Sequence, residues 1–385
     1  MHLAFFGLLI LGHGAIDMHQ GALPALLPSL KDSLGLSYAE AASILLALNL
    51  SSSIIQPLFG HITDRWALNW VLPAAIILAS LGFAGIYFAF SYFQILMAVL
   101  FCGLGIAAYH PQAVKETLTF GSIRKTGVMS WFMVGGNSGF ALGPIFVVGC
   151  LAWFGREGIL IFAIPCIVIG FIFIIALKSK KQSPAALAAK HTGQIKPIGK
   201  RIKPLGILFA SVVLRASVQS GMLVFTPFYF NQFLSMHHAD LGLVLGFYLL
   251  CGAIGTLLGG QIATKIDEKK VFLFSVFAIT PFTAFFLLSD SSLLYLWLGL
   301  TGAAITAPWA SMVVMAQQIL PDRTGLASSL MMGLAIGSGG LGATVLGFVA
   351  DYMGLMWVMY IITTLPILSG LVGLFVKIPR ALAQK

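Results

Sequence analysis

Apolar stretches follow one another along almost the whole chain, each roughly 17–27 residues long and so able to span a hydrocarbon core of about 30 Å. Twelve can be bounded, at about 3–28, 41–59, 70–90, 93–114, 127–151, 158–177, 204–232, 239–262, 270–288, 291–318, 325–349 and 355–376. In lipid every backbone N–H and C=O must be paired internally, so only helices or a closed barrel can span. The stretches lack the alternating polarity of barrel strands. They therefore predict an all-α membrane protein of twelve transmembrane helices. The composition agrees: 59% of residues are hydrophobic and 9% charged, against about 25% charged in a soluble domain. No soluble domain is expected beside the helices. The first stretch starts almost at Met1 without a basic leader or small-residue cleavage site, which predicts a retained span. Cys102, Cys150, Cys166 and Cys251 sit inside apolar stretches without metal-ligand spacing and read as small buried hydrophobes. No metal or organic cofactor is expected.

The net charge of +10 reports topology. Every Lys and Arg except Lys31, Arg156 and Arg215 lies in an even-numbered connection or near a terminus. Basic residues are retained on the cytoplasmic side, so both termini are expected in the cytoplasm of a cell with a bacterial-type inner membrane. Nucleic-acid binding is excluded by the same placement.

Residues 178–203 form the longest polar connection, with eight Lys or Arg and no acid. This segment reads as a cytoplasmic linker between six-helix bundles at 1–177 and 204–385. An offset of 200 places Gly21 on Gly221, Glu40 on Asp240, Gly60 on Gly260 and Arg65 on Lys265. At 198, Gly127 and Ser130 fall on Gly325 and Ser328, Met133 on Met331, Gly135 on Gly333, and Gly139 on Gly337. The near-constant offset indicates duplication. Two pseudo-symmetric bundles joined by a basic loop are the architecture of 6+6 secondary transporters, whose substrate site lies near the midplane. Helices 1, 4, 7 and 10 are expected to line it.

Asp17 lies deep in the first stretch, one helical turn after His13, so the two titratable groups share a face. A charge at bilayer depth costs at least roughly 2.5 kcal/mol and usually marks function. Asp17 and His13 are thus candidates for a proton-coupling site; the competing reading is a permanently paired acid that holds helix 1 in place. Arg215 stands near the middle of the seventh stretch. It suits either a structural ion pair with Asp17 or a fork for a carboxylate or phosphate-like anion, and a switch between these roles is a third reading. His110 precedes Pro111, which removes a helix hydrogen bond, so it marks either a kink or a cavity-lining relay. Gln20 and Gln219, one turn from Asp17 and Arg215, are expected in the cavity, and Tyr109 joins His110 as a candidate substrate contact. Asn49, Gln56 and Asn137 are further polar groups at depth, which commonly bond between helices.

The connection after the second stretch, Gly60-His61-Ile62-Thr63-Asp64-Arg65, resembles the Gly-x-x-x-Asp-Arg motif of the major facilitator superfamily, and Gly260–Lys265 reads as a degraded copy. Gly135-Gly136-Asn137-Ser138-Gly139 with Gly143-Pro144 is similar to the glycine-rich helix 5 of its antiporters. His13-x-x-x-Asp17-Met18-x-Gln20, Ser52–Pro57, Tyr109-His110-Pro111 and Val134–Asn137 resemble the fosmidomycin resistance protein family. The resemblance is dense over about residues 10–145 and architectural beyond.

The resemblance implies a proton-coupled antiporter, not an enzyme, exporting a small drug-like or anionic compound by alternating access. Uptake of an organic anion is the alternative, and a membrane-embedded enzyme or receptor a remote one. Gly60, Asp64 and Arg65 would latch a gate, with Arg124 or Arg323 as partners. Gly135, Gly136, Asn137, Gly139, Gly143 and Pro144 would pack helices, as would Gly333, Gly337, Gly339, Gly340 and Gly342. Gln112 departs from the pattern, standing where the family is expected to carry an acid. The expected partners are a small-molecule substrate, protons and the lipid bilayer, and a monomer is the expected state.

Overall fold

A computed structural model of the chain describes residues 2–65, 70–120, 125–178, 201–289, 292–321, 327 and 330–378. Within them all regular structure is helical. The first half contains α1 (His2–Leu34), α2 (Tyr38–Ile54), α3 (Gln56–Arg65), α4 (Val71–Ala84), α5 (Tyr92–Leu118), α6 (Lys125–Phe154) and α7 (Gly158–Lys178). The second contains α8 (Ile202–Leu234), α9 (His238–Ala263), α10 (Glu268–Leu288), α11 (Ser292–Thr306), α12 (Trp309–Ile319), α13 (Ala335–Met353) and α14 (Leu355–Leu374), with a π-turn at Leu330–Leu334 before α13.

Within the described residues each sequence-predicted span falls on one helix or a broken pair, the eleventh on a π-turn followed by a helix. The second breaks at Ile55 between α2 and α3, and the tenth at Ala307-Pro308 between α11 and α12. Nine described segments are long and apolar enough to cross a membrane, one of them running from α6 through α7. The helix α1 falls short of that apolarity. Its length is sufficient, but it carries His13, Asp17, His19 and Gln20. Large apolar side chains such as Leu81, Phe171, Ile175, Leu257 and Phe274 stand exposed along the helices. This distribution suits a surface facing lipid rather than water.

Helix ends follow local rules. Ser37 and Glu40 close a capping box at the start of α2, which satisfies two orphan N–H groups. Asp240 occupies the first turn of α9, where an acid meets the positive end of the helix dipole. The Glu40–Asp240 match of the repeat is thus a matched pair of helix starts. Gly35, Gly155 and Gly354 adopt φ of +62°, +60° and +92°, a region glycine enters without steric cost. All three turn odd-numbered connections, the ones nearly free of Lys and Arg.

The described residues group into two compact units. One lies within Met1–Ala189 plus Thr226–Gly246, the other within Lys190–Phe225 plus Phe247–Lys385. Compared with the sequence-read boundary at 178–203, the end of α8 and the start of α9 group with the first unit.

In the first unit α1 and α6 approach backbone to backbone. A Cβ on Gly139 would meet the backbone of Gly14, and one on Gly143 the carbonyl of Met18. A Cβ on Gly135 would meet the carbonyl of Ile10, and one on Gly21 that of Phe140. Small residues permit this approach between membrane helices, and it brings α1 within side-chain reach of α5 and α6. The second unit repeats the device: Gly339 packs on the Ala216 carbonyl and Gly342 on Ser217, joining α13 to α8.

Candidate functional site

His13 and Asp17 stand at i and i+4 on α1, and the α1–α6 contact fixes their surroundings. His13 is buried, with its ring stacked on Phe132 of α6 at 3.9 Å between centroids. Its Nδ1 lies 2.7 Å from the Phe132 carbonyl oxygen. A carbonyl oxygen only accepts, so Nδ1 carries the hydrogen and Nε2 faces Asp17, 3.3 Å from Oδ2. On α5, His110 repeats the arrangement. Its Nδ1 donates to the Ile106 carbonyl at 2.8 Å, and its Nε2 lies 3.3 Å from Asp17 Oδ1. The two imidazoles meet edge to face, with centroids 5.2 Å apart.

One carboxylate is therefore held between two imidazoles from different helices. Asp17 and His110 keep side-chain exposures of 16% and 21%, so the site is open on one side. The donor types also suit a transition-metal cation, and the donor atoms lie within 4.8 Å of one another. Each imidazole, however, addresses its own carboxylate oxygen instead of one shared point. Both approaches are at ion-pair distance, and the buried Oδ1 makes no hydrogen bond in this arrangement.

Gly136 completes the wall. A Cβ there would lie 2.5 Å from His13 Nε2 and 2.6 Å from Asp17 Oδ2. The sequence reading gave Gly136 to helix packing alone; the structure places it against the titratable groups. Asn137, its neighbour in the motif, is exposed, and Pro144 lies inside α6 with its carbonyl facing Gly242.

Tyr109 joins two helices. Its side chain is fully buried, and its hydroxyl donates to the Leu9 carbonyl at 3.0 Å. It pins α5 to α1 instead of facing a cavity. Gln20 donates to Asn49 Oδ1 at 3.3 Å, joining α1 to α2. The carbonyl that Pro111 leaves without its helix donor is that of Ala107, so His110 does not use the vacancy; it shares the Ile106 carbonyl instead.

Sequence reasoning passed over two groups. Glu116, beyond the predicted end of the fourth span, is buried and accepts from Gln112 Nε2 at 3.3 Å. A carboxylate thus stands one turn beyond the position where the family acid was missing. The extension of α5 to Leu118 is what buries it, and no sequence signal marked that extension. His19 is also fully buried, edge-on to Phe83 and Phe162. It lies on a different face of α1 from Asp17, as its spacing of two residues requires.

In the second unit Arg215 is 1% exposed. Its Nη1 donates to Gln219 Oε1 at 3.0 Å and to the Ile305 carbonyl at 2.7 Å. Its guanidinium lies 5.7 Å from the Trp309 ring centre. Nε has no hydrogen-bond partner, and neither does the buried Tyr248 hydroxyl, which lies within electrostatic reach. Among the described residues no carboxylate lies within ion-pairing distance of this cation. A buried guanidinium held by neutral oxygens, with one donor unused, is a ready receptor for an anion.

Gly60 ends 3.8 Å from the Pro111 ring through its would-be Cβ, so α3 runs beside α5. Asp64 and Arg65 close α3. Their side chains lie outside the described residues, as do Arg124 and Arg323, the partners expected of them.

The model of the Major Facilitator Superfamily matches residues 9–238 and 207–385. The fosmidomycin resistance protein of Escherichia coli (strain K12) is 30% identical over 376 residues, covering 95% of this chain and 91% of that protein. The MFS-type transporter YfnC of Bacillus subtilis (strain 168) is 30% identical over 371 residues, covering 94% and 90%. Among solved structures, the nucleoside transporter NupG matches with a TM-score of 0.78 at 16% identity, covering 97% of this chain and 98% of its own. A bacterial homologue of the lysosomal transporter Spinster, inward-facing and occupied, also gives 0.78, at 14% identity and 97% and 96% coverage. At such identities the structures establish the fold alone. Matched along both halves, this multi-pass membrane chain belongs to the major facilitator superfamily of secondary transporters, within the fosmidomycin resistance protein family.

Proposed function

We propose that the chain is a proton-coupled antiporter that exports a small anionic or drug-like compound by alternating access. The leading substrate class is phosphonates of the fosmidomycin kind. The observation that carries the reading is the Asp17 carboxylate bracketed by His13 and His110 at 3.3 Å each. Such a cluster binds and releases protons in a membrane-length helix, where a bare charge is costly. Arg215 with Gln219 would take the anionic part of the substrate, while Gly60, Asp64 and Arg65 would latch a gate. The basic linker side would face the cytoplasm of a bacterial-type inner membrane, with both termini there.

The test is resistance. Cells expressing the chain are expected to tolerate fosmidomycin and to accumulate less of it. They should lose that advantage when the proton gradient is collapsed or when Asp17 is replaced by Asn. Unchanged tolerance, or an Asp17→Asn variant that exports as well as the parent, refutes the proposal. The carboxylate-free setting of Arg215 serves uptake of an organic anion equally well; higher accumulation in expressing cells would select that direction.

A further inference from the structure

The arrangement of His13, Asp17 and His110 fixes a proton count. Both Nδ1 atoms face backbone carbonyl oxygens, of Phe132 and of Ile106. A carbonyl offers only lone pairs, so in each neutral imidazole Nδ1 carries the hydrogen. The exchangeable positions are then the two Nε2···Oδ approaches, one per carboxylate oxygen, each of 3.3 Å. Without a proton such an approach sets lone pair against lone pair. With a proton on either member it is a bridge.

The states follow directly. With no exchangeable proton the imidazoles are neutral, the carboxylate is ionised and the cluster carries −1. One proton gives charge 0 and one bridge. Two protons give +1 and satisfy both contacts. Gly136 leaves no room for either partner of the His13 bridge to move toward α6.

Among the described residues the surrounding helices place no further carboxylate or imidazole within ion-pairing distance of Asp17. From α5 the Tyr109 hydroxyl is spent on Leu9, and from α7 the Cys166 thiol points to the Ala15 carbonyl. Gln20 and Asn49, between α1 and α2, are neutral and bonded to each other. His19 turns instead toward Phe83 of α4 and Phe162 of α7, and α6 presents the Phe132 ring and carbonyl with Gly136.

We infer that this cluster loads two protons per transport cycle, and that His110 carries one of them as a full member of the proton site. This reassigns His110 from substrate contact to coupling, and it rests on the proton-coupled reading above. In the loaded state one proton bridges His13 to Asp17 within α1 and the other bridges α1 to α5. On release both leave, and the carboxylate remains ionised between two neutral imidazoles.

The full-length protein is to be reconstituted into liposomes with the membrane potential clamped at zero and fosmidomycin as the probe. At thermodynamic balance, a pH difference of about one unit supports a fosmidomycin gradient of about 100-fold for two protons and about 10-fold for one. The parent protein is expected near the first value. His110→Gln, whose amide still donates to Asp17 Oδ1 but carries no exchangeable proton, is expected near the second. Comparing the two cancels the ionisation of the probe itself. A parent value near 10-fold overturns the two-proton inference while leaving proton coupling intact. Equal gradients for parent and His110→Gln overturn the role of His110. A gradient insensitive to pH in the parent overturns the coupling reading itself.

A second measurement needs no substrate. In ¹⁵N-histidine NMR of the purified protein in nanodiscs, His13 and His110 are assigned by their His→Gln variants. Both are expected to keep Nδ1 protonated throughout a titration while Nε2 alone changes. Loss of the Nδ1 proton in either residue overturns the count.

Discussion

Replacing Gly136 by Ala separates a site role from a packing role, because three glycines of α6 meet three different surroundings. At Gly149 nothing lies within 4 Å of an added Cβ. Ala there should stabilise the helix by roughly 0.5–1 kcal/mol through reduced backbone entropy. At Gly139 the Cβ would meet the backbone of Gly14. Neither helix can give way locally, so α1 and α6 must separate, at an overpacking cost of about 1–3 kcal/mol or more. At Gly136 the obstacles are two side-chain tips, His13 Nε2 at 2.5 Å and Asp17 Oδ2 at 2.6 Å. Ordinary contact requires about 3.5 Å, so these tips must retreat by roughly 1 Å. That shift stretches the 3.3 Å contact past bridging distance. A charge-assisted hydrogen bond worth about 1.5–3 kcal/mol is lost, equivalent to roughly 10–100-fold in any equilibrium it supports. Thermal unfolding of the purified variants should therefore place Gly149→Ala above parent and both Gly136→Ala and Gly139→Ala below it. Proton-driven export should fall most steeply, relative to stability, in Gly136→Ala. Export and stability in Gly136→Ala that match Gly149→Ala would refute the placement of α6 against the carboxylate.

Three further outcomes are expected. Tyr109→Phe removes the bond to Leu9 and should cost about 0.5–1.5 kcal/mol of stability with the apparent KM for export unchanged; a raised KM would return Tyr109 to the substrate site. Arg215→Lys keeps the charge but loses the planar fork, so fosmidomycin binding measured by calorimetry should weaken roughly 10-fold or more, and unaltered affinity would remove Arg215 from the site. In a double-mutant cycle on fosmidomycin binding, Asp17→Asn and Arg215→Lys should deviate from additivity by more than about 0.5 kcal/mol. Strict additivity would mean that the proton and anion groups do not communicate.

The fold was legible because bilayer physics leaves few choices. A run of twelve apolar stretches admits only helices, and within the described residues each falls on a helix, a broken pair or a π-turn followed by a helix. The site was legible in its charges and less so in their partners. Asp17 and His13 pair as their spacing requires. The second imidazole comes from α5, a contact |i−j| of 93 from Asp17 that no local pattern encodes; it depends on how closely α1 and α5 approach. For the same reason Gly136 read as packing, since a missing side chain does not reveal what fills its space. The bond of Tyr109 to Leu9 was not legible because a tyrosine at membrane depth looks the same in sequence whether its hydroxyl faces a cavity or a backbone carbonyl. Glu116 was hidden by a helix that runs on past the end of its apolar stretch.

The duplication explains why the two charged groups are not copies of one another. The glycine contacts recur, Gly139 and Gly143 against α1 and Gly339 and Gly342 against α8, so close helix approach is the property both halves retain. The polar positions diverge. At the offset of 200 the counterpart of Asp17 is Ser217, whose hydroxyl bonds back to Val213 in its own helix at 2.9 Å, and the counterpart of His13 is Val213 itself. The second unit therefore has no carboxylate–imidazole pair at the matching place. Its charge, Arg215, stands opposite Ala15 in the repeat and takes its partners from Gln219 and the Ile305 carbonyl of α11. A guanidinium stays charged at any physiological pH, whereas under the two-proton inference the carboxylate–imidazole cluster changes its net charge with each proton it gains. Under the proposed mechanism, one copy of the scaffold thus supplies a constant attraction for an anion and the other a variable charge, which is what exchanging one for the other demands.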